Sequence, residues 1–145
     1  MEIRKARANE LPKVAEIFMS GTSDKPYNEK WTKKTALIKI KDHIKNKNKV
    51  YVAIVNGNIV GFITTRLEYL YDGNKLFIEE FYIKKEYQNQ GIGASMINKL
   101  EEIYKGKIKS IALMSSKKSP AFKFYLRKGF KPYHDVIFMK KRVSC

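Results

Sequence analysis

Residues 87–95 depart most from ordinary patterning, and they read Tyr-Gln-Asn-Gln-Gly-Ile-Gly-Ala-Ser. The two glycines, Gly91 and Gly93, remove the Cβ atoms that would keep a ligand away from the backbone. A strand pattern precedes the segment and a helical pattern follows it, so free N–H groups and the positive end of a helix dipole face outward. Such a loop is typical of a phosphate site, and the alternative is a purely structural turn.

Other glycine-rich fingerprints do not fit this loop. A dinucleotide-binding loop needs a third small residue where Met96 stands. A P-loop needs a Gly-Lys-Ser/Thr triplet, and none follows. The function of the loop must therefore be inferred from the elements on both sides of it.

The elements on both sides of the loop have clear signals. Before it, Asn56-Gly57 separates two β-rich runs and indicates a hairpin, because both central residues of a type I′ turn need positive φ. After it, apolar residues from Met96 to Tyr104 recur at helical spacing. Nearer the N-terminus, Gly21 is expected to end the first helix. The loop is thus expected to join a strand to a core-facing helix.

The predicted fold class is α/β (α+β), with the element order β-α-α-β-β-β-α-β-α-β-β. The middle of the chain predicts an antiparallel meander, and the strand-helix-strand unit after it needs a parallel crossover. The last two strands are expected at residues 130–133 and 136–141. Residues 1–145 should therefore form one domain, with a mixed, mostly antiparallel sheet flanked by helices.

The composition restricts the function classes. The 145 residues include 30 Lys or Arg against 14 Asp or Glu, a net charge of +16, but few are arginines, and dispersed lysine is typical of a solvated surface. The only cysteine, Cys145, is the last residue, so an intrachain disulfide, a Cys-based metal site and a thiol nucleophile are not expected. Without a signal-peptide pattern or a long apolar run, we expect a cytoplasmic protein.

Two separate motifs carry a resemblance to a known family. They read FIEEFYIKKEYQNQGIG (residues 77–93) and PAFKFYLRKGF (residues 120–130). The first resembles the signature of the GNAT superfamily of N-acetyltransferases, which is Arg or Gln, two residues, Gly, one residue, then Gly or Ala. The second resembles that family's late helix, with its Ala, Tyr and Gly-Phe at the usual offsets. The predicted element order matches over essentially the whole chain.

The resemblance implies that acetyl-CoA is the cosubstrate, and the residues themselves predict no metal site. Its pyrophosphate would sit on the backbone amides of the loop, in agreement with the phosphate nest argued above. Its pantetheine arm would pair with the preceding strand like an added strand. The residues so implicated are Phe81, Tyr82 and Ile83 on the strand, and Gln88, Asn89, Gln90, Gly91, Ile92, Gly93 and Ala94 in the loop.

The late helix and its flanks complete the expected cofactor site. Ser119 and Lys128 are expected to contact the cofactor. The 3′-phosphate would meet one or more of four lysines, namely Lys117, Lys118, Lys123 and Lys128. Two positions depart from the family pattern: Gln88 replaces the commoner Arg, and Lys118 stands where Asn is frequent.

The resemblance also implies a base and an acid. Glu79 is the first candidate for the base that deprotonates the amine, because it matches polyamine-type members, and Glu80 is the second. Adjacent strand residues face opposite sides, so only one is expected to face the substrate, and the alternative is that they solvate the sheet. Tyr125 matches the tyrosine that protonates the departing thiolate, and its alternative is packing beside Phe124.

Other polar and aromatic residues receive less specific expectations. His43 and His134 lack ligand spacing, so surface or capping roles are expected rather than metal binding. Tyr27 and Trp31 are candidate walls of a substrate pocket, and Trp31 could equally anchor a helix in the core.

The sequence thus predicts an acetyltransferase that moves an acetyl group to a primary amine by direct attack, without a covalent enzyme intermediate. The expected acceptor is a small-molecule amine, and a protein or peptide N-acetyltransferase is the alternative. A non-catalytic basic module that binds RNA or ribosome surfaces competes from another class, but no nucleic-acid motif is recognisable. The resemblance also makes a homodimer an open expectation.

Overall fold

The computed structural model describes residues 1–144, which form a five-stranded sheet in the order β1-β2-β3-β4-β5. The strands are β1 (Glu2–Lys5), β2 (Lys49–Val55), β3 (Asn58–Glu68), β4 (Lys75–Ile83) and β5 (Ser110–Leu113). The helices are α1 (Leu11–Ser23), α2 (Lys33–Lys45), α3 (Ile92–Ile103) and α4 (Ala121–Arg127). Two 3₁₀ turns lie at Ala8–Glu10 and Lys85–Tyr87.

The expected meander and crossover are both present. Strands β1 to β4 pair antiparallel with their neighbours, and the Asn56-Gly57 turn has φ of 50° and 78°. Strand β5 returns parallel to β4 after α3, as a crossover requires. The predicted fold class, a mostly antiparallel mixed sheet flanked by helices, is confirmed.

The sheet separates two hydrophobic cores. On one face α3 packs Met96, Ile97 and Leu100 against the strands, because its apolar residues recur at helical spacing. On the other face α1 and α2 bury a second cluster that includes Phe18 and Ile40. Both faces of the central strands β2 and β3 are therefore covered by helices.

Gly21 does not end α1, which continues to Ser23. The glycine instead faces the ring of Tyr82 on β4, where an added Cβ would overlap the ring carbon Cδ1. The expectation was wrong because this glycine is needed for close packing of the helix on the sheet, and it still fits a helix at a modest cost in propensity.

The two C-terminal strands of the predicted order are not formed within residues 1–144. Residues 131–144 are exposed, and the one backbone hydrogen bond among these residues closes a turn from Val136 N–H to Tyr133 O. An apolar run becomes a strand only when a neighbouring strand satisfies its backbone groups, and among the described residues no strand pairs with residues 130–141. Nine elements of the predicted order are thus present, and the last two are absent.

Candidate active site

Glu79 and Glu80 face the same cavity, although adjacent strand residues normally point to opposite faces. The β3–β4 register explains this: Thr64 pairs with Glu80 and Thr65 pairs with Ile78, so Glu79 is the extra residue of a bulge. The cavity, of about 330 Å³, also contains groups from α2 and β3. The expectation that only one carboxylate faces this side was wrong.

Glu79 is held by two partners at the cavity. The Nε of Arg66 donates to Glu79 Oε1 at 2.7 Å, and His43 Nδ1 lies 3.1 Å from Oε2. Arg66 also binds Glu68 and stacks on Phe77, with its guanidinium carbon 4.6 Å from the ring centroid. Both oxygens of the Glu79 carboxylate are therefore occupied by fixed donors.

His43 is a functional candidate that the sequence reasoning assigned to a surface or capping role. Its side chain is only 8% exposed, and its Nε2 lies 3.2 Å from the carbonyl oxygen of Thr65. Because carbonyl and carboxylate oxygens only accept, both contacts are satisfied when the ring carries a proton on each nitrogen. The residue lies in the last turn of α2, and its apolar spacing with Ile40 was the only available signal.

Glu80 differs from Glu79 in its surroundings. Burial raises the pKa of Glu80 to about 7, and the charges of Glu29 and Glu79 add to this, while Lys39 and the Tyr82 hydroxyl oppose it. Its backbone N–H donates to Thr64 Oγ1 at 2.9 Å, which fixes the strand at this point. A carboxylate with a pKa near 7 can take up and release a proton near neutral pH.

Tyr125 lies on α4 among aromatic rings. Its ring centroid is 5.4 Å from that of Phe124, 5.6 Å from Phe130 and 6.3 Å from Phe81. Burial raises the pKa of Tyr125 above its usual value, and the negative charge of Glu80 acts in the same direction. The hydroxyl is therefore protonated at neutral pH, and it lies within electrostatic reach of Glu80.

A hydrogen bond joins the loop after α1 to the start of α4. Tyr27 Oη donates to Ser119 Oγ at 3.1 Å, and Ser119 Oγ accepts in turn from the backbone N–H of Ala121. Tyr27 also packs edge-on against Tyr82, with centroids 6.3 Å apart. Trp31 instead packs on Phe18 at 5.0 Å, so its alternative as a core anchor is the one found.

The second half of β4 is free along the side that faces β5. Only Lys75 to Ile78 pair with β5, so Glu79 to Ile83 have no parallel partner. Phe81 and Ile83 turn toward the α3 core, and Tyr82 turns toward the α1 core. Free main-chain groups along such an edge can hydrogen-bond to an extended ligand.

The glycine-rich loop ends where α3 begins. Gly91 has φ of 81° and caps α3, whose first turn, Ile92 to Ala94, leaves its N–H groups without intrahelical acceptors. Ile92 is buried and offers only its amide, whereas Gln88, Asn89, Gln90 and Gly91 are exposed. The Gln88 side chain donates to Ile83 O at 3.0 Å, which ties the loop to the end of β4.

Gly93 leaves room for two aromatic rings that pack beside α3. A Cβ at this position would lie 3.3 Å from Phe124 Cζ and 3.5 Å from Phe81 Cζ. Farther along α3, Asn98 Oδ1 accepts a hydrogen bond from Lys128 Nζ at 2.7 Å. Lys117, Lys118 and Lys123 are exposed. The structure thus brings α3, α4 and the end of β4 together around the predicted loop.

Among residues 1–144, no group of His, Asp and Glu side chains is arranged to hold a metal ion. Cys145 lies outside the described residues. Across the same range, none of the helices is both long and apolar enough to span a membrane.

Comparisons with known proteins agree with this architecture. A family model described as Acetyltransferase (GNAT) family matches residues 11–130. No curated protein sequence matches the chain. A solved structure described as a possible acetyltransferase from Clostridium difficile 630 is similar, with a TM-score of 0.83 at 21% identity, over 99% of this chain and 98% of that one.

Two solved aminoglycoside acetyltransferases are also similar. One, from an uncultured soil metagenomic sample in complex with sisomicin, has a TM-score of 0.74 at 18% identity, over 99% of this chain and 96% of that one. The other, a 6′-N-acetyltransferase from Acinetobacter haemolyticus, has a TM-score of 0.78 at 16% identity, over 99% and 100%. At these identities the likeness concerns the fold.

Proposed function

The chain belongs to the acetyltransferase (GNAT) family, and from this we propose that it transfers the acetyl group of acetyl-CoA to a primary amine by direct attack. The observation that carries the proposal is the placement of Glu80 and Tyr125 beside the free half of β4. One is a carboxylate with a pKa of about 7 and the other a protonated phenol. These are the two proton-transfer groups that the reaction needs.

The residues present fit acetyl-CoA. The first turn of α3 offers amides to a pyrophosphate, and the loop before it, Gln88 to Gly91, is exposed. The free edge of Phe81 to Ile83 offers main-chain groups to an amide-containing arm. Ser119 and Lys128 lie at the two ends of α4, where they would contact the rest of the cofactor. When bound, acetyl-CoA supplies the acetyl thioester and leaves as the thiol.

The chain's own residues then handle the protons. Glu80 takes the proton from the acceptor ammonium, directly or through a water molecule, so that the neutral amine can attack. Tyr125 holds its phenolic proton at Oη for the departing sulfur. Glu79 is the less suitable base, because Arg66 and His43 already occupy its two oxygens.

We place the acceptor in the cavity between α2, β3 and β4. Its size of about 330 Å³ suits a small molecule, and three carboxylates line it, from Asp42, Glu79 and Glu80. Lys39 and Arg66 line the same cavity, and Arg66 is already paired with Glu79, so Asp42 and Glu80 are the carboxylates that attract an ammonium group, even though the whole chain carries +16. The relatives that act on aminoglycosides support a small-molecule amine over a protein N-terminus.

The test is thiol release from acetyl-CoA in the presence of a panel of amines, namely polyamines, aminoglycosides, amino acids and short peptides. We expect turnover with at least one small amine, and loss of about 100-fold or more in Glu80→Gln. Glu101→Gln, an exposed position on α3, is the matched control. Turnover with peptides alone would show that the acceptor is a peptide or protein and not a small molecule. Full activity in Glu80→Gln would show that Glu80 is not the base.

A further inference from the structure

The bulge on β4 disrupts the strand ladder locally, and side chains hydrogen-bond to the backbone around it. The β3–β4 register shifts between Thr64 and Thr65, opposite Glu79. At the shift, Thr64 Oγ1 accepts from the Glu80 N–H at 2.9 Å, and the Thr65 carbonyl oxygen lies 3.2 Å from His43 Nε2. Thr64 and Thr65 are each only 1% exposed. Because buried backbone groups need partners, these side chains help to keep the bulge in place.

His43 contacts both strands of the bulge with one ring. Its Nε2 faces the carbonyl oxygen of Thr65 on β3, and its Nδ1 lies 3.1 Å from Oε2 of Glu79 on β4. The side chain is only 8% exposed, so water competes little for either nitrogen. With a proton on each nitrogen, the ring donates in two diverging directions. It therefore ties β3 to β4 at the point where their regular pairing is interrupted.

Helix α2 determines where this ring lies. Ala36, Ile40 and His43 follow one another at i, i+4 and i+7, so they share one face of the helix. Ala36 and Ile40 are 0% and 1% exposed and belong to the core between the helices and the strands. At the end of the helix, the Asn46 N–H donates to the carbonyl oxygen of His43 at 3.3 Å. Packing before His43 and the helix cap after it thus hold the residue in place.

The Glu79 carboxylate is held from two sides. Arg66 Nε donates to Oε1 at 2.7 Å, and His43 contacts Oε2. Without the contact from His43, this carboxylate would be free to rotate about its ion pair with Arg66. Its negative charge already acts on Glu80, which lines the same cavity. His43 therefore fixes the side chain next to Glu80 as well as the backbone that carries Glu80.

We propose that His43 is a positioning residue for acetyl transfer: it holds the bulge, and with it the two adjacent carboxylates, in the arrangement that leaves Glu80 free in the cavity. This rests on the proposed function, in which Glu80 is the base. Both ring nitrogens of His43 are occupied within the protein, by Thr65 and Glu79. His43 therefore acts through these two residues and not by a proton transfer of its own.

Two substitutions separate positioning from a packing role, in which the ring only fills space beneath α2. His43→Phe keeps an aromatic ring and removes both hydrogen-bonding nitrogens. His43→Gln keeps a polar side chain, but its donors belong to a single nitrogen and cannot replace two diverging ones. A packing role predicts that His43→Phe behaves like wild type, whereas a positioning role predicts that both variants lose activity.

The test is single-turnover acetyl transfer to the best small amine of the panel above, together with coenzyme A titration. We expect the rate of the chemical step to fall about 10-fold or more in both variants, because the base is displaced, while coenzyme A affinity stays unchanged. Tyr51→Phe, which removes a buried hydrogen bond in the α3 core, is the control for a general loss of stability. Lys41→Gln, exposed on α2, is the control on the same helix. A wild-type rate in His43→Phe, or a loss no larger than that in Tyr51→Phe, would overturn the proposal.

Hydrogen exchange reports on the bulge without any turnover, and so separates this proposal from the proposed function. In both variants the Glu80 amide and those of residues 64–66 should exchange at least about 10-fold faster, while the amides that pair β1 with β2 keep their wild-type rates. Unchanged exchange at Glu80 would overturn the proposal whatever the activity. A wild-type protein that is inactive with every amine would remove the proposed function, and the exchange rates would still decide whether His43 holds the bulge.

Discussion

Arg66 and Glu79 form an ion pair at the cavity, with Nε 2.7 Å from Oε1. This ion pair gives Glu79 surroundings that differ from those of the adjacent Glu80, although the family resemblance ranks Glu79 first as the base. Glu79 is fixed by charged and polar donors, whereas burial leaves Glu80 with a pKa of about 7. The first two predictions follow from this difference.

In wild type, kcat/KM should rise with pH and level off above about 7, because the base must be deprotonated in the free enzyme. Glu80→Gln should abolish this rise of kcat/KM with pH and remove most of the activity. Glu79→Gln should keep the rise with pH and mainly raise KM for a cationic acceptor. Steady-state kinetics from pH 5 to pH 9 on the three proteins distinguish these results, and exchanged phenotypes of the two variants would reverse the assignment.

The pKa of Glu80 also predicts a dependence of stability on pH. The folded carboxyl binds its proton more tightly than the unfolded one, whose pKa is near 4.5, so folding loses free energy as pH rises from about 4.5 to about 7. The loss is at most roughly 3 kcal/mol. Urea unfolding of wild type and Glu80→Gln should show curves that converge near pH 4 and diverge by pH 8, with the variant more stable. Parallel curves would contradict the burial of this carboxyl.

Tyr125→Phe should lower kcat by about 100-fold while leaving the affinity for coenzyme A unchanged. The ring still packs on Phe124 and Phe130, so only the proton donor is removed. Single-turnover kinetics and coenzyme A titration measure the two quantities separately. Tyr69→Phe, at an exposed position, is the control. If kcat stays at the wild-type value, Tyr125 has a packing role only.

Several residues that position this site were not predictable from local sequence patterns. The bulge at Glu79 is a property of the register between β3 and β4, and no local sequence signal marks it. His43 and Glu79 lie 36 residues apart and meet only because α2 docks beside β4. By contrast, the strand, loop and helix at residues 76–103 have strong periodicity, and they occur where expected.

Gly21→Ala should destabilise the protein by about 1–3 kcal/mol, because the new methyl group would overlap the ring of Tyr82. The direction of the stability change is informative, because Gly→Ala at an exposed helical site stabilises a protein by up to about 1 kcal/mol. Ser20→Ala, one residue earlier and exposed, is the matched control. Thermal unfolding of both variants decides the point, and equal melting temperatures would exclude a tight contact.

The same glycine shows why helix ends are hard to predict. A glycine late in a helical pattern is a common stop signal, and only the neighbouring strand shows that this one makes room for a ring. The prediction of two C-terminal strands was wrong for a related reason. Their apolar patterns were evident in the sequence, but local periodicity does not show which strand will pair with them, and none of the described strands does.

The hydroxyl groups of Tyr51 and Tyr104 form a buried pair, 2.9 Å apart, between β2 and the end of α3. Tyr51→Phe or Tyr104→Phe should each cost about 1–2 kcal/mol, because the remaining hydroxyl loses its partner. The double variant should cost clearly less than the two single variants together. A double-mutant cycle by urea unfolding measures this coupling, and strict additivity would show that the two hydroxyls do not interact.

The parting of β4 from β5 after Ile78 has a consequence for how two reactants meet. A continuous β-sheet normally keeps molecules on its two faces apart, and here the sheet is open beside Glu79 to Ile83, where β4 has no β5 partner. The cavity lined by Glu79 and Glu80 lies on the α2 side of this gap, and the glycine-rich loop lies on the α3 side. If the acceptor occupies this cavity and the cofactor binds at the loop, as proposed above, the two would meet through the gap.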